Sequence, residues 1–461
     1  MLLLEENNMN NLINEFNKIV EKTGTASKTG SNSELYLLSQ KSKKIVFSNS
    51  TFSEISENKN SGFSIRVLEN NKKGFASSSK DNLAETFETA IELAKYSSKT
   101  PMKFHNDPNV SISKNNDYLS KHISIADDYY LNKGNEIIKE VQDRIKPDNA
   151  GINVTFQMDD ENLHIANSKG LDNEYNGQSL SVSSSISTAI GDNIIEVYNA
   201  DAARNNAIDY NKLIENLVSE FMLSKNTVPF TPGLYPVIFS PSSMVWILKA
   251  LAQGLDGKNI EKKISPLTGK LNEAVLSELF SLKEVPENTE LPDSIPFDDE
   301  GTRTKDHYVI EKGILKNYLL NLESAGALDT EPTGNGYKFS LMSGRSYNMT
   351  PGTGFGPLFM DPGIAELDDM VSDIKDGVFL RMSFDCWMGN IVTGDLKGSL
   401  SQAYRIKNGK IDGRIKNMAF AGNFYKFFGE QLVALSNKSV PAMLGPGFLT
   451  PHLLVKDVSI M

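Results

Sequence analysis

The sequence predicts an α+β protein in two parts: an N-terminal domain of antiparallel meanders flanked by helices (residues 1–228), and a C-terminal β-rich, barrel-like domain with a few helices (229–461). Three observations predict it. Residues 33–79 and 151–205 alternate apolar and polar side chains with the period of two expected of half-buried strands, broken by turn-forming clusters. Segments with helical periodicity stand before, between and after these runs, which argues helices beside antiparallel meanders and not a doubly wound parallel sheet. From KNTVPFTPGLYP (225–236) onward Gly and Pro become frequent and helical patterning rare.

In chain order, NNLINEFNKIVEKTG (10–24) gathers Leu12, Ile13, Phe16, Ile19 and Val20 on one helical face. Residues 33–79 hold three or four strands, with ENNKKG (69–74) as a hairpin turn. DNLAETFETAIELAKYSS (81–98) predicts a helix capped by Asp81, and a further helix is expected near 124–145. The second meander (151–205) is followed by a helix over 211–225. YPVIF (235–239) is apolar nearly throughout and predicts a buried strand. It feeds a helix capped by Ser240, with Pro241 in its first turn. Met244, Ile247, Leu248, Leu251 and Leu255 form one core-facing stripe, and Gly254 is expected to end the helix. SELFSLKEVPENTELPDSIPFDDEG (277–301) is a long acidic connection of the kind that is often functional. Hairpins are predicted at Lys312–Gly313 and Asn408–Gly409, and a short helix within 423–437.

With 461 residues the chain can bury two or three cores. Lys+Arg 47 against Asp+Glu 58 leaves a net charge of -11, which disfavours direct contact with a nucleic-acid backbone. The single cysteine, Cys386, allows no intrachain disulfide and suits a reducing cytoplasm. The start lacks the basic stretch of a secretory signal, and no apolar run approaches the roughly 18–20 residues of a membrane span, so neither export nor membrane insertion is expected.

GLYPVIFSPSSMVWILKALAQGLDG (233–257) resembles the TldD/PmbA family of metallopeptidases. The likeness extends to FDDEGTRTKDHYVIEKGILKNYLLN (297–321), to TGNGYK (333–338) with Arg345 downstream, and to VTGDLKGSLSQAYRIKNGKI (392–411). In the catalytic subunit that the family implies, the strand enters a helix bearing H-E-x-x-x-H, followed by G-L-E-G. Here the second half persists as Gly254, Leu255, Asp256 and Gly257, but Leu248 and Gln253 stand at the two His positions and Lys249 at the Glu position. A catalytic zinc needs about three His, Cys or carboxylate ligands and an open position for water. Leu248 has no lone pair, Lys249 is normally a cation, and Gln253 coordinates weakly. The family's third ligand is a cysteine near the C-terminus, and VALSNKSVPAMLGPGF (433–448) contains none. His105, His122, His164, His307 and His452 do not pair at a ligand spacing.

The resemblance therefore implies a PmbA/TldE-type member with no catalytic residues and no metal or other cofactor of its own. Its expected partner is a TldD-like subunit that carries the zinc, in a cytoplasmic complex that cleaves unfolded peptides and matures peptide precursors. An older label calls the family a modulator of DNA gyrase. The candidate peptide-groove residues are Gly254, Asp256, Gly257, Asp298, Asp299 and Gly301, beside an exposed strand edge to which an extended peptide could add. Asp298, Asp299 and Glu300 read first as a solvated acidic turn, with a rim that reads a peptide's backbone or amino terminus as the alternative and ligands for a divalent ion after that. Cys386 reads as a buried thiol or a nucleophile. GTGFGP (352–357) lacks the strand-to-helix setting of a phosphate loop. Two alternatives stay open: a self-associating homodimer that binds peptides or proteins, and a hydrolase with an unrecognised site.

Overall fold

The computed structural model describes residues 6–26, 32–105, 126–146, 149–191, 193–204, 208–340, 344–383, 385, 386, 389–443 and 445–461. His122 and the first two residues of the helix expected over 124–145 lie outside them.

The N-terminal part is one sheet of six antiparallel strands, ordered β3-β2-β1-β4-β5-β6. They are β1 (Asn32–Ser48), β2 (Thr51–Glu69), β3 (Lys72–Ser78), β4 (Gly151–Asn167), β5 (Asp172–Ile190) and β6 (Asn193–Ala203). The predicted meanders are thus strands of up to 19 residues, long enough for one face to meet helices at both ends. Parity decides the faces. Odd positions of β1 point toward the helices: Leu35 and Leu37 pack under α1 (Glu6–Ala26) and α2 (Leu83–Tyr96), while Ile45 and Phe47 pack under α3 (Asp127–Ile145) and α4 (Tyr210–Lys225). The even positions Tyr36 and Leu38 face the other way, onto Ile295 and Phe297 of the C-terminal part.

The turn predicted at 69–74 is a two-residue reversal through Asn70 and Asn71, both with positive φ (52° and 60°). The other two predicted hairpins turn on Lys312–Gly313 and Asn408–Gly409, again with both residues at positive φ. One cap differs from expectation. Asn82, not Asp81, precedes α2. Its side chain caps no amide and is held instead by Ser78 Oγ and Glu85.

The C-terminal part joins an eight-stranded curled sheet to a six-stranded one. At the centre of the larger sheet, β7 (Gly233–Phe239) runs parallel to Asp376–Met382 and antiparallel to Leu453–Ile460. β7 feeds α5 (Pro241–Leu255), whose first turn is held by Ser240 accepting from the Ser243 amide. The predicted stripe holds: Met244, Ile247, Leu248, Leu251 and Leu255 are all buried in the main C-terminal core. Gly254 does not end the helix. α5 runs to Leu255, and Asp256 starts the short α6 (Gly257–Glu261). Among the described residues no helix is long and apolar enough to cross a membrane.

Candidate functional site

A cleft of about 860 Å³ opens where the middle of the N-terminal sheet meets the C-terminal part. Gln40, Ser42, Gln157, Asp159 and Glu161 form the sheet wall. Val245, Lys249, Ala252 and Gln253 of α5 form a second, and Tyr337, Phe339, Arg345, Thr353 and Phe355 a third. The α5 residues fall at i, i+4, i+7 and i+8, so the helix turns one polar-edged face to the cleft while its apolar stripe faces the core.

This splits the three positions that sequence reasoning singled out. Lys249 and Gln253 open on the cleft, whereas Leu248 is fully buried in the core. The division follows from the helix itself: at 3.6 residues per turn, positions 249 and 253 lie about 40° apart around the axis and 248 and 253 about 140°. The Lys249 ammonium rests 4.4 Å from the Trp246 ring centroid. Burial lowers its pKa, against the opposing pull of Asp293.

Asp293 belongs to the acidic connection and reaches the cleft from a turn that Arg204 fixes. The Arg204 guanidinium donates to the carbonyls of Pro292 (2.8 Å) and Ser294 and to the Tyr175 hydroxyl. Asp293 stays exposed to the open cleft, but the protein crowded around it desolvates its carboxyl and pushes it above its usual range, while Arg204, Arg345 and the Gly447 amide act the other way. Asp293 and Arg204 were missed. The only signal for Asp293 was the length of its acidic loop, and Arg204, at the end of β6, had none.

The acidic turn is neither solvated nor a rim. Asp298, Asp299 and Glu300 are 0%, 0% and 1% exposed. Asp298 accepts from the amides of Glu300 (3.0 Å), Thr302 (2.9 Å) and Gly336 (2.8 Å). Desolvation and then Glu300 push its carboxyl well above the usual range. Asp299 accepts from the Tyr36 hydroxyl (3.0 Å), the Lys338 amide (2.7 Å) and Arg345 Nε (2.9 Å). Glu300 takes Arg66 (2.5 Å) and the Leu322 amide (2.6 Å). Gly301, at φ 77°, makes the turn possible and packs on Leu171. These residues bolt the two halves together behind the cleft. Arg345, paired with both Asp299 and Glu161, carries that brace to the cleft wall.

The other groove candidates have packing or capping roles. A side chain at Gly254 would collide with the Tyr425 hydroxyl, and one at Gly257 with Leu320 and Ser324. Asp256 caps α6 through the Lys258 amide (3.0 Å). Cys386 is buried against Ser383 Oγ, and burial pushes its thiol up to about 11, which favours the protonated thiol over the nucleophilic thiolate at neutral pH. The described histidines are dispersed: His105 meets Thr302, His164 meets Asp172, His307 meets Glu284, and His452 lies against Phe379. Among the described residues no group of three His, Cys, Asp or Glu side chains is placed to hold a metal.

Lys338 is a fully buried cation in the brace. It donates to Ser64 Oγ (2.7 Å) and stands 3.8 Å from the Tyr36 ring centroid. Burial lowers its pKa to about 7, more than Glu34, Asp299 and Glu300 raise it. The unfolded chain, with a lysine pKa of about 10.4, then holds this proton more tightly than the folded one. The resulting penalty is full below about pH 7 and fades as pH rises toward about 10. Measured against Lys338→Met, the wild-type chain is expected to gain stability over that window. A pH-independent difference in unfolding midpoint would contradict this.

Residues 232–461 match the family model described as the PmbA/TldA metallopeptidase C-terminal domain, and residues 33–94 match PmbA/TldA metallopeptidase domain 1. A metalloprotease TldD homolog of Buchnera aphidicola is 26% identical over 413 residues, 85% of this chain and 82% of that protein. The crystal structure of TldE from Thermococcus kodakarensis superposes with a TM-score of 0.81 at 22% identity, covering 96% of this chain and 99% of that one. A Thermotoga maritima structure described as a modulator of a DNA gyrase gives 0.80 at 20% identity, covering 97% and 100%. Both structures share the fold.

Proposed function

From the premise that this chain belongs to the PmbA/TldD metallopeptidase family, we propose that it is a non-catalytic subunit of a cytoplasmic protease. Its cleft holds extended, unfolded peptides while a zinc-bearing TldD-like subunit cleaves them, in protein breakdown and in peptide maturation. The observation that carries this reading is the chemistry of α5. The positions corresponding to the family's ligands and base hold a core leucine, a lysine cation and a glutamine. That set does not fit a catalytic zinc, which takes anionic or imidazole ligands and an adjacent base. The C-terminal segment where the resemblance places a third, cysteine ligand does lie against α5, with the Met443 amide donating to Ser242 Oγ (3.1 Å), but it supplies no thiol.

The cleft suits a peptide held largely by its backbone. β2 pairs with β3 only from Phe63 to Glu69. Its stretch from Thr51 to Asn60 pairs on one side, with β1, and among the described residues no strand pairs with its other edge, with Asn58 and Asn60 reaching the cleft. Strand addition at such an edge binds main chain with little regard to sequence. Mixing the purified chain with a zinc-bearing relative that keeps H-E-x-x-x-H is the test. Hydrolysis of an unfolded protein such as reduced casein is expected to rise at least about 10-fold over the two subunits assayed apart, a change of roughly 1.4 kcal/mol in the effective barrier. Rates that merely add would overturn the reading.

A further inference from the structure

Among the described residues four cations line the cleft: Lys41, Arg204, Lys249 and Arg345. Three are committed. Lys41 pairs with Glu57 (3.6 Å), Arg345 with Glu161 and Asp299, and Arg204 with two carbonyls and a phenol. Among the described residues Lys249 makes neither a hydrogen bond nor an ion pair. Its stem is half-buried, and its charge is steadied by the Trp246 ring and, without an ion pair, by Asp293. One helical turn on, the Gln253 carboxamide also opens on the cleft, and no described group takes its N–H donors. Among the described residues, two further cleft atoms are buried without a partner, the Thr353 hydroxyl and the Gln178 side-chain carbonyl. A donor and an acceptor left open in this way match a peptide's C=O and N–H, because a buried polar atom is costly unless something pairs with it.

We infer that Lys249 and Gln253 form a carboxylate-binding subsite within the cleft, which takes either the free C-terminus or an acidic side chain of a bound peptide. This rests on the reading of the cleft as a peptide site. An ammonium and a carboxamide one turn apart can meet the two oxygens of one carboxylate, and charge-assisted hydrogen bonds of this kind are the strong ones. Asp293 sets a limit on the ligand. It lines the same cleft and acts on Lys249 without forming an ion pair, so like-charge repulsion favours a carboxylate that approaches from the side away from it. The family position for a catalytic base would thus hold a residue that fixes the charge of the peptide instead of activating water.

The test uses the full chain and three N-terminally dansylated octapeptides of Ser, Thr and Val. One ends in a free carboxylate, one is C-terminally amidated with a central Glu, and one is amidated without an acid. Anisotropy titrations at low salt are expected to show at least one carboxylate peptide binding about 10-fold tighter than the neutral one. Which of the two does so identifies the source of the carboxylate. Lys249→Met, whose thermal melt checks its folding, should bind all three alike, and Lys249→Arg should keep the preference. Equal binding of all three by the wild-type chain, or a preference that survives Lys249→Met, overturns the subsite and leaves the peptide cleft standing. Binding of none of them counts against the cleft itself.

Discussion

Arg66→Met is expected to cost about 3–5 kcal/mol of stability, the price of leaving buried charges unpaired. Arg66 on β2 lies directly across from Glu34 on β1 and grips it through Nε (2.8 Å) and a terminal nitrogen (2.6 Å), while its other terminal nitrogen reaches Glu300 (2.5 Å). All three side chains are at most 2% exposed. Methionine fills much of the volume beside Met102 and Phe104 but leaves two carboxylates in a dry interface, with only the Lys338 ammonium nearby, which hydrogen-bonds Ser64 and ion-pairs with neither. Guanidinium unfolding of the variant should show the loss. Adding Glu34→Gln and Glu300→Gln should recover part of it by removing the stranded charges. An unchanged unfolding midpoint for Arg66→Met would mean that this triad does not hold the halves together.

The second large effect is expected at Arg345, and it should be functional as well as structural. Arg345 ends the short ribbon of Phe339–Ser340 and Gly344–Arg345, which stands over the cleft. Its guanidinium ties Asp299, which is fully buried, to Glu161 on the sheet wall. In Arg345→Met, Glu161 keeps Gln40 (2.9 Å) and Asp299 keeps the Tyr36 hydroxyl and the Lys338 amide, so the loss should be smaller than at Arg66, about 2–3 kcal/mol. The ribbon then loses its charged anchor to the opposite wall. Affinity for an unfolded peptide should fall at least about 10-fold, which is about 1.4 kcal/mol. Arg345→Lys should restore only part of this, since an ammonium lacks the planar fork that spans two carboxylates. Peptide affinity equal to that of the wild-type chain would remove Arg345 from the cleft's binding role.

The sequence and the structure agree where the signal is local. The period-two runs became the long strands, the stripe on α5 is buried as its spacing requires, and three of the hairpin turns sit on residues that tolerate positive φ. Local signals also misled. Asp81 and Asn82 are both good caps, and composition alone does not choose between neighbours. Gly254 reads as a helix stop, but its missing side chain serves a close approach by Tyr425. The largest departure is the acidic turn. Three adjacent carboxylates normally stay in water, and what buries them here comes from elsewhere in the chain: Tyr36 and Arg66 from the N-terminal sheet, and the Gly336 and Lys338 amides and Arg345 from a later segment. No local pattern announces such partners. The cleft was half legible for the same reason. Its α5 wall follows from helical spacing, while Asp293 and Arg204 meet only because β6 ends beside the acidic loop.

The most direct test is the zinc content of the purified chain alone, measured by mass spectrometry after incubation with zinc and dialysis, with casein hydrolysis followed with and without a chelator. A core leucine, a lysine and a glutamine at the decisive positions of α5 predict far less than one zinc per chain and no chelator-sensitive cleavage. One tightly held zinc per chain together with chelator-sensitive cleavage would show that this polypeptide is itself the peptidase.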